Sequence, residues 1–190
     1  IRGPFSINKS SVVKMGAKVY EGCSIGPFCK IGGEINNSVF FGYSSKSHDG
    51  FIGNSVIGEW CNLGADTNNS NLKNNYSNIK LWNYDCQSFI DTGLQFCGMI
   101  MGDHSKTAIN TMINTGSVIG VGVNLFGPGF ARNFIPSFSW GGSNGFTEHK
   151  FNTFIETANR VMNRRNKVLS DNQTLLFETI FNMTKRYRNY

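Results

Sequence analysis

The sequence predicts an all-β main body, a left-handed parallel β-helix of hexapeptide repeats, with a C-terminal α-helical extension. Three observations predict it: an aliphatic at every sixth position, a composition rich in turn formers, and a change to helical spacing near the end. From Ser11 the chain divides into SVVKMG, AKVYEG, CSIGPF and CKIGGE. Val13, Val19, Ile25 and Ile31 recur in step, each two places after a small residue (Ser11, Ala17, Cys23, Cys29). The register returns in SVIGEW and CNLGAD, where Ile57 and Leu63 follow Ser55 and Cys61. A third block places Met101, Thr107, Ile113, Ile119 and Leu125 at the same interval. A period of six is neither helical nor simple alternation. It suits a chain that turns a corner after each short strand, pointing one aliphatic per hexad into a triangular prism. One hexad cannot bury its own side chain, whereas stacked coils bury a continuous apolar column. Twenty-two Gly against four Pro, with abundant Asn, fit many tight corners.

These signals divide the chain. Residues 1–127 form the β-helix, with an excursion over 66–93. There TNNSNLKNN is too polar to line a core, and IKLW and SFIDT flank NYDCQ as a small hairpin. Long loops leaving a regular scaffold often carry function. Residues 128–146, rich in Gly, Phe and Trp, read as an irregular connection packed over the end of the prism. Residues 147–190 read as helices. Thr147 is the expected cap of the first, whose stripe is Phe151, Phe154, Ile155, Ala158, Val161 and Met162. Ser170 with Gln173 reads as a capping box before the second, which carries Leu175, Leu176, Phe177, Ile180, Phe181 and Met183. Such helices cover a terminal coil whose strand edges would otherwise be exposed.

Composition narrows the function classes. No apolar run approaches the roughly 20 residues that cross a bilayer, and the start has no signal-peptide pattern, so the cytoplasm is the expected compartment. The chain begins Ile1-Arg2-Gly3-Pro4 and reads as a piece of a longer protein. None of the five cysteines (Cys23, Cys29, Cys61, Cys86, Cys97) lies in a CxxC pair, which removes zinc-ribbon and thioredoxin-type readings. They read as small buried hydrophobes. The net charge is +6, and residues 148–190 hold eight basic against four acidic side chains. That end, which includes Arg164 and Arg165, could attract a nucleotide-like anion or a phosphorylated substrate, or be a solvated helix face. Its basic residues are not interleaved with aromatics in a nucleic-acid motif.

The run KSHDGFIGNSVIGEWCNLGADTNNSN, from Lys46 to Asn71, resembles one family closely. It is similar to the acetyltransferase half of the bifunctional N-acetylglucosamine-1-phosphate uridylyltransferase/glucosamine-1-phosphate acetyltransferases, in the version found in Bacteroidetes-type bacteria. NLKNNY, KLWNY, TGLQFCGMIMGDHSK and RNFIPSFSWGG extend the resemblance over most of the chain. It implies a homotrimer, acetyl-CoA bound in clefts between prisms, and a place in sugar-nucleotide biosynthesis for the cell envelope. Full-length members carry an upstream nucleotidyltransferase domain whose glycine-rich loop is not in this sequence, so uridylyl transfer is not expected of it. The family's catalytic histidine falls on His48 and its neighbouring glutamate on Glu34. Asn62 and Lys14 match substrate-binding positions, Ala65 beside Gly64 the backbone facing the acetyl group, and Asn71 the asparagine closing the exposed loop. Two departures stand out: Asn36 replaces a lysine and Phe51 a tyrosine, both of which hold the sugar phosphate in better-known members. Lys46, Lys73 or Lys80 is a candidate for the replacement charge.

The chemistry fits those residues. An ammonium has no lone pair with which to attack a thioester, so N-acetylation needs a base, and imidazole exchanges protons near neutrality. His48 is the expected base, with Glu34 orienting the ring. The tetrahedral oxyanion would meet a backbone N–H around Gly64-Ala65. Coenzyme A leaves as a thiol, with no metal required. His104 reads as a corner residue and His149 as a surface residue. Three other readings remain: an acyltransferase on another amino sugar or a nucleotide-linked sugar, a β-helical carbonic anhydrase, which needs a histidine cluster around a metal, and a non-catalytic trimerisation module of a sugar nucleotidyltransferase.

Overall fold

The computed structural model describes residues 1–190. Short parallel strands stack into the three faces of a β-helix. The first face has seven: Phe5–Ile7, Cys23–Ile25, Val39–Phe40, Val56–Ile57, Met99–Met101, Ser117–Ile119 and Phe134–Ile135. The second runs from Val12–Val13 through Lys30–Ile31, Ser45–Lys46, Asn62–Leu63, Lys106–Thr107 and Asn124–Leu125 to Ser139–Gly142 and Gly145–Glu148. The third stacks Lys18–Val19, Glu34–Asn36 and Phe51–Gly53, then Asn68–Asn69 and Met112–Ile113. Phe5 pairs with Cys23 and Ile100 with Val118, so a full coil spans three hexads. That is why one residue per hexad always returns to the interior.

The interior is the apolar column that the period implies. Val19, Ile25, Ile31, Ile57, Leu63, Met101, Ile113, Ile119 and Leu125 belong to one buried cluster. Thr107 is buried with them, and its hydroxyl is satisfied by that of Thr67 at 2.8 Å. Cys23, Cys29 and Cys61 take the small positions and are buried as expected. Cys29 Sγ donates to Phe41 O at 2.8 Å and Cys61 Sγ to Gly102 O at 3.2 Å, so the thiols also tie coil to coil. Burial pushes all three thiols up, Cys61 to about 12, and a thiol so held is unreactive at neutral pH.

A second cluster forms outside the prism. At the junction of the first and second faces, Phe28, Tyr43, Trp60, His104 and Phe138 each adopt a left-handed conformation, φ 58–62°. The first four rings stack along the axis, with centroid separations of 4.9, 4.1 and 6.1 Å. His104 is thus the corner residue expected of it. Helix α1 (Phe151–Asn163) and helix α2 (Asp171–Thr184) lay Phe154, Ala158, Met162 and Phe177 on this ladder. The capping box on α2 is present: Gln173 N donates to Ser170 Oγ at 3.2 Å, and Ser170 N to Gln173 Oε1 at 3.0 Å.

Four expectations are corrected. Residues 128–146 are not an irregular connection: Phe134–Ile135 and Ser139–Gly142 continue the stack, and Gly145–Glu148 folds back antiparallel on the latter. Phe138 turns that coil's corner as its predecessors do, a position hidden by the loss of the hexad spacing. Thr147 therefore lies in a strand, and Lys150 precedes α1 with no side-chain cap. His149 is buried, its Nδ1 2.8 Å from Gly122 O, because α1 and Trp140 close over it. The excursion leaves the prism after Asn71, not at 66. Asn68 and Asn69 still form a strand, and their side-chain oxygens accept the Phe51 and Gly53 N–H groups at 2.8 Å. Cys97 N closes the excursion on Asn71 O at 3.0 Å. Within it, Lys80–Asn83 and Ser88–Asp91 form the expected hairpin, anchored by Trp82 stacked 4.2 Å from Phe134.

Candidate functional site

The junction of the second and third faces is a ridge, and successive coils place Lys14, His48, Ala65 and Ile109 along it. Coil-to-coil hydrogen bonds fix this alignment: Lys14 N to Ile31 O (2.8 Å), Gly32 N to Lys46 O (2.6 Å), Asp66 N to Asp49 O (2.9 Å) and Asn110 N to Ala65 O (2.8 Å). Gly32 and Gly64 are required where coils close up: a β-carbon on Gly32 would lie 2.8 Å from Ser47 C, and one on Gly64 2.5 Å from Ala108 C. His48 is exposed on the ridge, and its imidazole makes no hydrogen bond within the chain. The Ala65 N–H, one coil on, has no acceptor in the chain either. An exposed imidazole and an unbonded backbone N–H therefore occupy adjacent coils of one ridge.

What holds His48 is a lysine. Lys46 is fully buried, with its ammonium inside the corner donating to His48 O and to Asp49 O, the latter at 2.6 Å. It cannot supply the charge for a substrate phosphate that the sequence reading considered; it ties down the turn carrying the imidazole. Burial pushes its pKa down to about 8, against the pull of Asp49 and Asp66. The unfolded chain holds that proton to about 10.5, so the native state binds fewer protons between these values and stability rises with pH there. We expect wild type to gain up to about 3 kcal/mol on Lys46→Met between pH 8 and 10.5. Urea unfolding of both proteins across that range checks this, and a constant difference contradicts it.

Two grooves flank the ridge and differ in charge. On the third face a cavity of about 310 Å³ is lined by Lys18, Glu34, Asp49, Phe51, Asp66 and Asn68 among others. Glu34 sits one coil before His48, its N–H on Gly50 O at 3.0 Å, and its carboxylate is 3.9 Å from Lys18 Nζ. No hydrogen bond joins it to the His48 ring. On the second face a cavity of about 510 Å³ is lined by Ser47, Asn62, Lys30, Lys106, Arg164 and Arg165 among others. Asn62 projects from its strand between Ser45 and Lys106.

The remaining sequence candidates lie elsewhere in the chain. Asn71 stands at the next corner, its Nδ2 on Asn54 Oδ1 at 2.7 Å. Lys80 is on the excursion hairpin, where it lines a separate cavity with Lys73 and Arg132. His104, behind α1 and α2, does not converge with His48. Sequence reasoning missed Lys18, Lys30 and Lys106. Each occupies the place before an inward residue (Val19, Ile31, Thr107), which the hexad turns outward, so the signal was present in the register. Arg164 and Arg165 belong to the basic end already marked in the sequence, but only the packing of α1 brings them to the second face.

No family model matches the chain. Over 87 residues, 46% of this chain, it is 30% identical to the bifunctional protein GlmU of Methanocaldococcus jannaschii. The chain spans about a fifth (21%) of that curated relative's length. Among solved structures, it is similar to a mutant of AntD, an N-acyltransferase from Bacillus cereus crystallised with dTDP-4-amino-4,6-dideoxyglucose and coenzyme A. That likeness has a TM-score of 0.40 and 14% identity, covering 83% of this chain and 87% of AntD's.

Proposed function

We propose that the chain is an acetyl-CoA-dependent N-acetyltransferase for an amino-sugar phosphate, converting glucosamine 1-phosphate to N-acetylglucosamine 1-phosphate. The observation that carries this reading is the exposed His48 imidazole beside the free Ala65 N–H on adjacent coils of one ridge. The motif resemblance and the partial similarity to GlmU support it.

His48 takes a proton from the ammonium, freeing the nitrogen lone pair. The nitrogen attacks the thioester carbonyl, and the oxyanion that forms is met by the Ala65 N–H, a donor fixed before the reaction begins. The carbon–sulfur bond then breaks, the nitrogen's second proton passes to the departing thiolate, the amide and coenzyme A depart, and His48 returns its proton to solvent. Glu34, Asp49 and Asp66 give the groove beside His48 an acidic lining that attracts the substrate's ammonium. Asn62 lies on the opposite side, as a hydrogen-bonding group for the sugar. Lys14 stands further along the ridge, Gly64 and Ala65 are where the acetyl group of acetyl-CoA would lie, and Asn71, at the next corner, is a contact for the rest of that molecule.

An aligned outer column on the first face, Val39, Val56 and Ile100, is 36–41% exposed and supports assembly of copies into the homotrimer. No helix is long and apolar enough to cross a membrane. Five unpaired cysteines accord with the reducing cytoplasm.

The test is thiol release from acetyl-CoA with a panel of acceptors. The expected result is turnover with glucosamine 1-phosphate above that with glucosamine or nucleotide-linked amino sugars. Release that is equal with and without any amine would remove the reading.

A further inference from the structure

The cavity on the second face has a charge pattern that the acetyl-transfer chemistry at His48 does not require. Lys30 and Lys106 stand in one outward column of the second face, at the two ends of the ladder Lys30–Ser45–Asn62–Lys106, while Arg164 and Arg165 reach the cavity from the end of α1. No carboxylate lines it, and none of the four cations is in an ion pair. A helix C-terminus favours nearby cations, which would account for the arginines alone. It does not account for two lysines facing them from the sheet, since four like charges around one cavity repel. Lys106 is the most telling. Its ammonium donates one hydrogen bond, to His104 O at 2.9 Å, and has two donors left. Lys106 is half-buried and its burial pushes its pKa down, with no carboxylate among the cavity's lining residues to offset the charge. Asn62 and Ser47 add neutral polar groups, and Ser47 adjoins His48.

We propose that this cavity binds a phosphoryl anion, with Lys106 and Lys30 at opposite ends of its floor and Arg164 and Arg165 as its outer clamp. A phosphate offers several acceptor oxygens and about −1.5 to −2 charges, which suits convergent ammonium and guanidinium donors. The volume of about 510 Å³ admits a phosphorylated small molecule, not just a bare ion. The proposal deepens the acetyl-transfer reading and rests on it only for the source of the anion. Two sources share the chemistry: the acceptor's sugar phosphate, and the phosphates of coenzyme A. Ser47 lines this groove and Asp49 the acidic one, and two residues span at most about 7 Å. An amino-sugar phosphate is short enough to cross the ridge there, ammonium to one side and phosphate to the other.

Calorimetric titration of the full chain tests this with inorganic pyrophosphate, glucosamine 1-phosphate, coenzyme A and phosphate-free glucosamine. The double variant Arg164→Gln/Arg165→Gln and the separate variant Lys106→Met are compared with wild type, each checked for folding by circular dichroism. The expected result is pyrophosphate binding by wild type, weakened about tenfold or more in both variants, with glucosamine unaffected. A matching loss for glucosamine 1-phosphate assigns the acceptor phosphate; a matching loss for coenzyme A assigns the donor. Folded variants that bind every phosphorylated probe as wild type does would overturn the site, even if thiol release were intact. Conversely, pyrophosphate binding that depends on these residues upholds the site even if no acetyl transfer is found.

Discussion

His48→Ala is expected to lower kcat/KM for glucosamine 1-phosphate by about 10²–10⁴-fold, the usual contribution of a positioned acid–base group, with the fold intact. The physical argument has two halves. At neutral pH the amine is mostly ammonium, and without a base the reactive fraction must come from water. The imidazole, meanwhile, is exposed and makes no hydrogen bond in the chain. Truncating it should therefore change stability by no more than about 0.5 kcal/mol. Thiol release under subsaturating acceptor and thermal melts of both proteins check the two halves separately. Undiminished turnover removes the mechanism, whereas lost turnover with a collapsed melting temperature shows only that the corner was damaged.

The second large effect is on stability in acid. His104 is 3% exposed, stacked on Trp60 and met edge-on by Phe154 and Phe177. Burial holds its pKa down to about 3, and the nearby Lys106 pushes the same way. An unfolded histidine takes its proton from about pH 6.5 downward, so the unfolded state binds more protons between 6.5 and 3. Stability is therefore lost as pH falls through that window, by up to about 5 kcal/mol over its whole width. His149, also buried with its pKa held down, adds to the loss with the same sign. His104→Phe keeps a ring in the ladder and removes the proton site. By pH 4.5 wild type should have lost about 3 kcal/mol more than this variant, relative to pH 7.5. Denaturant unfolding at the two pH values measures it, and parallel losses would show that acid acts elsewhere. Because His104 bridges the prism to α1 and α2, the region expected to loosen first is the helical cap.

Much of this architecture was legible because a β-helix writes its register directly into the sequence. Every aliphatic counted in steps of six lies inside or, for Val13, half inside the prism. Small residues at Cys23, Cys29 and Cys61 are buried where coils stack, and the capping box on α2 is as written. What the sequence concealed was decided by tertiary contact. Phe134 to Glu148 form strands although no hexad announces them, because parallel pairing to the coil below supplies what local pattern does not. Lys46 looked like a surface cation, yet it lies where the hexad turns a side chain inward, and the carbonyls of His48 and Asp49 satisfy it there. The ridge itself follows from register, since His48 and Ala65 are neighbours only when the coils stack. The basic groove needed α1 folded back on the second face, and no local signal encodes that.

One measurement bears most directly on proton removal at residue 48: rescue of a His48→Gly variant by free imidazole. The ring is exposed on the ridge, so an added base can reach the place it leaves. Thiol release with glucosamine 1-phosphate should be low in the variant, then rise with imidazole concentration and saturate, while wild type stays unchanged. Turnover of the variant at the wild-type rate without imidazole, or a rate that imidazole never raises in a folded, acetyl-CoA-binding variant, would contradict the account.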